Sequence, residues 1–180
     1  MQRIAVVGSS GSGKTTVACA ISSGLGFPHL ELDSVFHQPG WTPLPTDDFQ
    51  AAVRDFTDQE AWVVDGNYTS QGIADAVWPR ADTVVWLDLS RGLTLRRIAN
   101  RTLRRFVRRE QLWNGNKENW RNFVDPRPEN NVILWSWTRH PSVRSHYDDR
   151  FNDPEWSHLE LVRLRSQPEV DAFVDRVQTS

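Results

Sequence analysis

Residues 3–15 read Arg-Ile-Ala-Val-Val-Gly-Ser-Ser-Gly-Ser-Gly-Lys-Thr. A short apolar run leads into a glycine- and serine-rich loop that closes on Lys-Thr. The run over 3–7 has the composition of a buried strand. Residues 8–15 match G-x-x-x-x-G-K-[ST] in full. The pattern has a physical reason. Glycines let the backbone turn so that successive N–H groups point inward at phosphate oxygens. A helix beginning at the end of the loop adds its positive N-terminal end. Lys14 is then placed to reach β- and γ-phosphates, and the Thr15 hydroxyl to meet Mg²⁺. Only two of the 21 basic residues are lysines, Lys14 and Lys117, so lysine at the motif position is not a compositional accident. Gly8, Ser9, Ser10, Gly11, Ser12, Gly13, Lys14, Thr15 and Thr16 are the expected nucleotide cradle, with ATP and Mg²⁺ as its ligands.

Working outward, short apolar runs alternate with helical stretches. Strands are expected over 3–7, 29–32, 61–64, 83–87 and 159–164. Helices are expected over 14–25, 47–59 with Thr46 as N-cap, and from Pro168 to residue 177. Cys19 is the only cysteine and is expected on the inner face of the first helix. The alternation indicates an α/β fold with a parallel sheet covered on both faces. Ligands of such sheets bind at the carboxyl ends of the strands. Gly8, Asp33, Asp65 and Asp88 each follow an expected strand end. The 180 residues are read as one domain, with an acceptor-side segment over 33–60 and a lid over about 110–130.

The formal net charge of −2 conceals an asymmetry. Residues 91–127 hold eleven Lys/Arg against three Asp/Glu, and the remainder holds ten against twenty. A basic segment in an acidic chain points to a polyanion at that place. No run of about 18 apolar residues is present, which argues against a membrane span. The first residues do not read as a signal peptide, so a cytoplasmic protein is expected.

Candidate chemistry falls on a few side chains. Asp65 ends an apolar strand and suits an Mg²⁺ carboxylate, or a simple turn residue before Gly66. Asp33 is the candidate base for an acceptor hydroxyl, or a cap. Asp88 reads as an N-cap. His37 lies near Asp33, and His140 and His146 lack metal-ligand spacing. Arg97, Arg101 and Arg105 recur at i, i+4, i+8 on one helix face. Like charges at that spacing repel by a few tenths of a kcal/mol per pair, which a bound anion would remove. Trp62 and Trp86 read as core, and Trp41 as the best aromatic for an acceptor. The sequence lacks the D-x-x-G and N-K-x-D motifs of GTPases.

These stretches resemble the adenylate-kinase-like branch of the P-loop kinases, and within it the bacterial topology-modulation proteins. The resemblance rests on residues 8–15, Asp33, the Trp-Val-Val-Asp-Gly-Asn-Tyr run of 62–68, residues 82–88, Arg97 with Arg101, and 112–118. It spans nearly the whole chain. It implies a three-layer αβα sandwich, a five-stranded parallel sheet of order 2-3-1-4-5, and a lid after the fourth helix. It also implies that Arg97 and Arg101 line the ATP side, with Arg139 or Arg144 opposite, and that Gln167 lies beside the base. One departure is informative. Nucleoside monophosphate kinases follow the third-strand Asp-Gly with an arginine for the acceptor's phosphate; here Asn67-Tyr68 follows, with no arginine before Arg80. A hydroxylated acceptor without a phosphate is therefore the leading expectation, for a monomer or a homodimer. The alternatives are a nucleic-acid-linked ATPase, with Trp113 and Trp120 stacking on bases, and a regulatory nucleotide-binding protein.

Overall fold

The structure is a computed structural model that describes residues 1–68, 71–108, 111–116, 125, 127 and 131–179. The main sheet comprises β1 (Arg3–Gly8), β2 (His29–Glu31), β5 (Trp62–Asp65), β6 (Thr83–Leu87) and β7 (Glu160–Leu164). All neighbours are parallel, in the order β2-β5-β1-β6-β7. A two-residue-per-strand hairpin, β3 (His37–Gln38) with β4 (Thr42–Pro43), accounts for the higher numbers. Without it the order reads 2-3-1-4-5, as the resemblance implied. The hairpin itself was not foreseen.

The helices are α1 (Lys14–Leu25), α2 (Leu32–Phe36), α3 (Thr46–Thr57), α4 (Ile73–Val77), α5 (Arg91–Arg108), α6 (Val132–Phe151) and α7 (Gln167–Gln178). Side chains alternate along β1 and feed two cores. Ile4 and Val6 pack with Val17, Ala18 and Ile21 of α1 and Val170 and Phe173 of α7. Ala5 and Val7 pack with Phe49 of α3, Ile73 of α4 and Tyr147 of α6. Period-two alternation with apolar residues at both phases is what a sheet covered on both faces requires. Trp62 and Trp86 are core, as expected. The indole N–H of Trp62 donates to the Thr57 carbonyl at 3.1 Å, and the Arg163 guanidinium lies 4.0 Å from the centre of a Trp86 ring.

Four local expectations change. Cys19 is exposed, because Val17, Ala18 and Ile21 form the inner stripe of α1. Strand β2 stops at Glu31, so Asp33 lies in the first turn of α2 and not at a strand end. Pro45, not Thr46, caps α3. Asp88 caps nothing: it is buried and held by Arg144 at 3.0 Å and Arg163 at 2.7 Å. Among the described residues no helix is long and apolar enough to cross a membrane.

Candidate active site

The loop after β1 turns through Gly8, Gly11 and Gly13, at φ of 146°, 76° and 97°, a region side chains avoid. A Cβ on Gly11 would sit 2.5 Å from the Thr94 carbonyl oxygen. The loop is thus packed directly on α5, which brings the arginine helix to the cradle. Helix α1 starts at Lys14, directly after Gly13.

A cleft of about 730 Å³ opens here, at the carboxyl edge of the sheet. One wall is the loop from Ser10 to Thr16; Arg97, Arg101, Arg104 and Arg105 of α5 form another. Arg97 donates to the Ser12 carbonyl at 3.0 Å and also to Gln167 Oε1. It therefore binds together three positions the sequence had assigned to one nucleotide site. Lys14 Nζ donates to the Ser9 carbonyl at 3.3 Å. Burial pushes the Lys14 ammonium below its ordinary pKa; Asp33, Asp65 and Glu31 pull it back up, and Arg101 lowers it further. An added polyanion would supply the counter-charge that burial withholds.

Ser12 Oγ and Asp65 Oδ2 are buried at the cradle without a hydrogen-bond partner. His29 Nε2 stands 3.8 Å from that Asp65 oxygen. Among the described residues no three His, Cys, Asp or Glu side chains gather into a metal cluster. Mg²⁺ in nucleotide sites is held by one or two protein oxygens, with water and phosphate completing the shell. The Thr15 hydroxyl and the Asp65 oxygen without a hydrogen bond fit that pattern.

Glu31, Asp33 and Trp113 also line the cleft. The Tyr68 hydroxyl donates to Asp33 Oδ1 at 2.5 Å and stands 3.4 Å from His37 Nε2. Burial, then the Asp33 charge and hydrogen bond, raise the Tyr68 pKa, so the phenol stays protonated and orients the carboxylate. Burial lowers the His37 pKa against the opposing pull of Asp33, which favours a neutral ring.

Asn67, which follows the Asp-Gly at the end of β5, is spent on the cradle. Its amide donates to the Gly8 carbonyl, its oxygen accepts from the Gly8 N–H at 3.2 Å, and Tyr147 OH donates to the same oxygen at 3.0 Å. Asn67→Ala removes partners from three polar groups in a partly buried place. It should cost about 1–3 kcal/mol of stability, read as a lower urea midpoint at unchanged slope. An unshifted midpoint would rule out this pinning role.

Other expectations diverge. Arg139 is exposed on α6 and does not line the cleft, and Arg144 is committed to Asp88. The expected lid falls mostly outside the described residues, including Lys117, Glu118 and Trp120; of it, 111–116, 125 and 127 are described. Three site residues were missed or underread: Glu31, Tyr68 and Trp113. Glu31 had a usable signal, since Leu-Glu-Leu-Asp places two carboxylates two residues apart at a strand end.

No family model matches the chain, and no curated protein matches it. Solved structures do. A shikimate kinase from Acinetobacter baumannii, in complex with shikimate, matches at 17% identity and TM-score 0.58, over 98% of this chain and 90% of that one. A sugar kinase from Janibacter sp. HTCC2649 matches at 17% identity and TM-score 0.54, over 99% and 93%. A gluconokinase from Sinorhizobium meliloti 1021 matches at 20% identity and TM-score 0.51, over 99% and 94%. The chain has the adenylate-kinase-like fold of the P-loop kinases. The likeness is one of fold, and reaches no narrower group within it.

Proposed function

We propose that this protein transfers the γ-phosphoryl group of ATP to a hydroxyl of a small acceptor. The observation that carries the reading is one cleft lined by both a phosphate cradle and an oriented carboxylate. The loop with Lys14 and the α5 arginines lines it, and so does Asp33, oriented by Tyr68. In this reading the cradle from Gly8 to Thr16 wraps the phosphates, and Lys14, Arg97 and Arg101 oppose their charge. Gln167, bonded to Arg97, lies on the nucleotide side. Mg²⁺ held by Thr15 and Asp65 would neutralise charge on the phosphates as the bond breaks. Asp33 accepts the acceptor hydroxyl's proton. The new bond joins that oxygen to the γ-phosphorus, the bond from phosphorus to the bridging oxygen breaks, and ADP leaves. The structural neighbours' names, gluconokinase, shikimate kinase and sugar kinase, support a small-molecule acceptor. Four arginines facing a cleft shared with Asp33 favour nucleotide phosphates over a nucleic-acid backbone as the anion.

The test is Mg²⁺-dependent ADP release across a panel of hydroxylated compounds, with the phosphorylated product identified by mass. ATP hydrolysis that no acceptor stimulates would select the ATPase reading instead. Nucleoside monophosphates should be poor acceptors. Residues 33–53 contain no lysine or arginine. Arg54 bonds Gln50 at 3.0 Å, Arg80 pairs with Asp58 at 3.4 Å, and Asn67 is tied to Gly8. Without a charged fork for a second phosphate, AMP mixed with ATP should yield ADP at no more than the rate of ATP alone. Rapid conversion would show that an arginine of α5 serves the acceptor.

A further inference from the structure

We propose that Glu31 is a positioning residue that couples the metal side of the cleft to a clasp, residues 112–116, closed over the acceptor segment. The inference rests on the proposed nucleotide site and adds a link between its two halves.

Glu31 ends β2 in register with Asp65. Its two carboxylate oxygens serve two distant parts of the chain. Oε1 accepts from the Thr15 hydroxyl at 3.1 Å, and Oε2 accepts from the Trp113 indole N–H at 2.8 Å. A threonine hydroxyl has one proton and two lone pairs. With the proton fixed on Glu31, the lone pairs face away from that carboxylate and are free for a cation. Glu31 therefore sets the orientation of the hydroxyl that the loop motif assigns to Mg²⁺.

The other arm reaches a tight turn. Leu112 N donates to the Asn116 carbonyl at 2.7 Å, and Asn116 N to the Trp113 carbonyl at 3.1 Å. Asn114 adopts φ of 54°, a left-handed value that asparagine tolerates better than most residues. The turn is laced to the acceptor segment by side-chain amides. Asn114 Nδ2 donates to the His37 carbonyl at 2.7 Å and the Ser34 carbonyl at 3.2 Å. Asn116, which is buried, donates to the Gln38 carbonyl at 3.0 Å and accepts from the Trp41 amide at 3.0 Å. Between them the Trp113 ring stacks on His37, with centroids 5.8 Å apart at 24°, and meets Trp41 edge-on at 6.4 Å. The clasp thus fixes the backbone from Ser34 to Trp41, on the same short helix and hairpin that carry Asp33. A chain of contacts runs from Thr15 through Glu31 to Trp113 by hydrogen bonds, and from Trp113 and its neighbours Asn114 and Asn116 to that segment by ring stacking and amide hydrogen bonds. Filling the metal site would lock Thr15, hence Glu31, hence Trp113, and so stiffen the acceptor wall.

The experiment is hydrogen exchange on the full chain, with and without Mg²⁺ and a non-hydrolysable ATP analogue, each variant at its own saturating nucleotide concentration. In the wild type, nucleotide with Mg²⁺ should slow exchange across 35–44 by roughly tenfold, the effect of about one added hydrogen bond of local stability. Glu31→Leu keeps the bulk of the side chain but has no acceptor oxygen, so it can hold neither Thr15 nor Trp113. It should lose the nucleotide-dependent slowing. Trp113→Phe keeps the ring but lacks the N–H, and should lose it too. A merely structural Glu31 would alter exchange equally with and without nucleotide. Slowing that persists in either variant, or is absent from a wild type that binds nucleotide, overturns the coupling. Calorimetry separates the failures: a wild type that binds no ATP·Mg²⁺ overturns the proposed function itself.

Discussion

Lys14→Ala should reduce ATP turnover by roughly 10²–10³-fold, the loss typical when one fixed charge-stabilising donor is taken from a phosphoryl or oxyanion site. Lys14 is the first residue of α1, at the positive end of the helix, with Nζ folded onto the Ser9 carbonyl of the same loop. It is the cation that Asp33, Asp65 and Glu31 jointly act on. Among the described residues no other lysine lines the cleft, and the lining arginines come from α5 instead. None of them can copy a point charge rising from the loop itself. The fold should survive. Lys14 belongs to neither core, and alanine is the better helix former at the start of α1. An unchanged circular dichroism spectrum and melting temperature, with calorimetric ATP·Mg²⁺ binding weakened at least tenfold (about 1.4 kcal/mol), is the expected pair of results. Wild-type affinity together with wild-type turnover would remove the loop from the mechanism.

The parts of this molecule that were legible in sequence are those specified locally. Strand β1, the loop and α1 follow from thirteen consecutive residues. Strands β5 and β6 are buried throughout because both their faces are covered. The arginine helix was read from its spacing, and Arg97, Arg101 and Arg105 do line one cleft. What was not legible is held by partners far away in the chain. The Trp113 indole meets Glu31 across 82 residues, and Asn67 meets Gly8 across 59. Asp88 looked like a cap because its strand ends there; Arg144 and Arg163, 56 and 75 residues away, claim it. Strand β2 ends at Glu31 and Asp33 falls in α2, where Leu32 packs so closely on Gly66 that a Cβ on the glycine would lie 2.7 Å from it. Strand propensity in Leu-Glu-Leu yields there to a tertiary contact. A side-chain hydrogen bond between distant segments leaves no periodicity behind, so such links appear only when the fold is built.

Asp33→Asn should lower kcat by roughly 10²–10⁴-fold while changing ATP affinity little, the range expected for loss of a positioned general base. Asparagine keeps the shape of the side chain but cannot take the acceptor's proton. The position supports this role better than a strand end would. In the first turn of α2 the carboxylate lines the cleft and receives the Tyr68 hydroxyl on one oxygen, Oδ1. The raised pKa of Tyr68 keeps that phenol a donor across the working pH range, so it fixes the carboxylate without competing for protons. Tyr68→Phe provides the internal control. It leaves the carboxylate in place but less oriented, and should cost only the factor of roughly 5–13 that one ordinary hydrogen bond of about 1–1.5 kcal/mol represents. The two variants also separate by nucleotide. Thr15 and Asp65 are untouched in both, so calorimetric ATP·Mg²⁺ affinity should stay within a few-fold of wild type. If Asp33→Asn instead abolishes ATP·Mg²⁺ binding and spares the turnover of whatever nucleotide binds, Asp33 serves the metal. The base must then be sought elsewhere in the cleft, with Asp65 next in line.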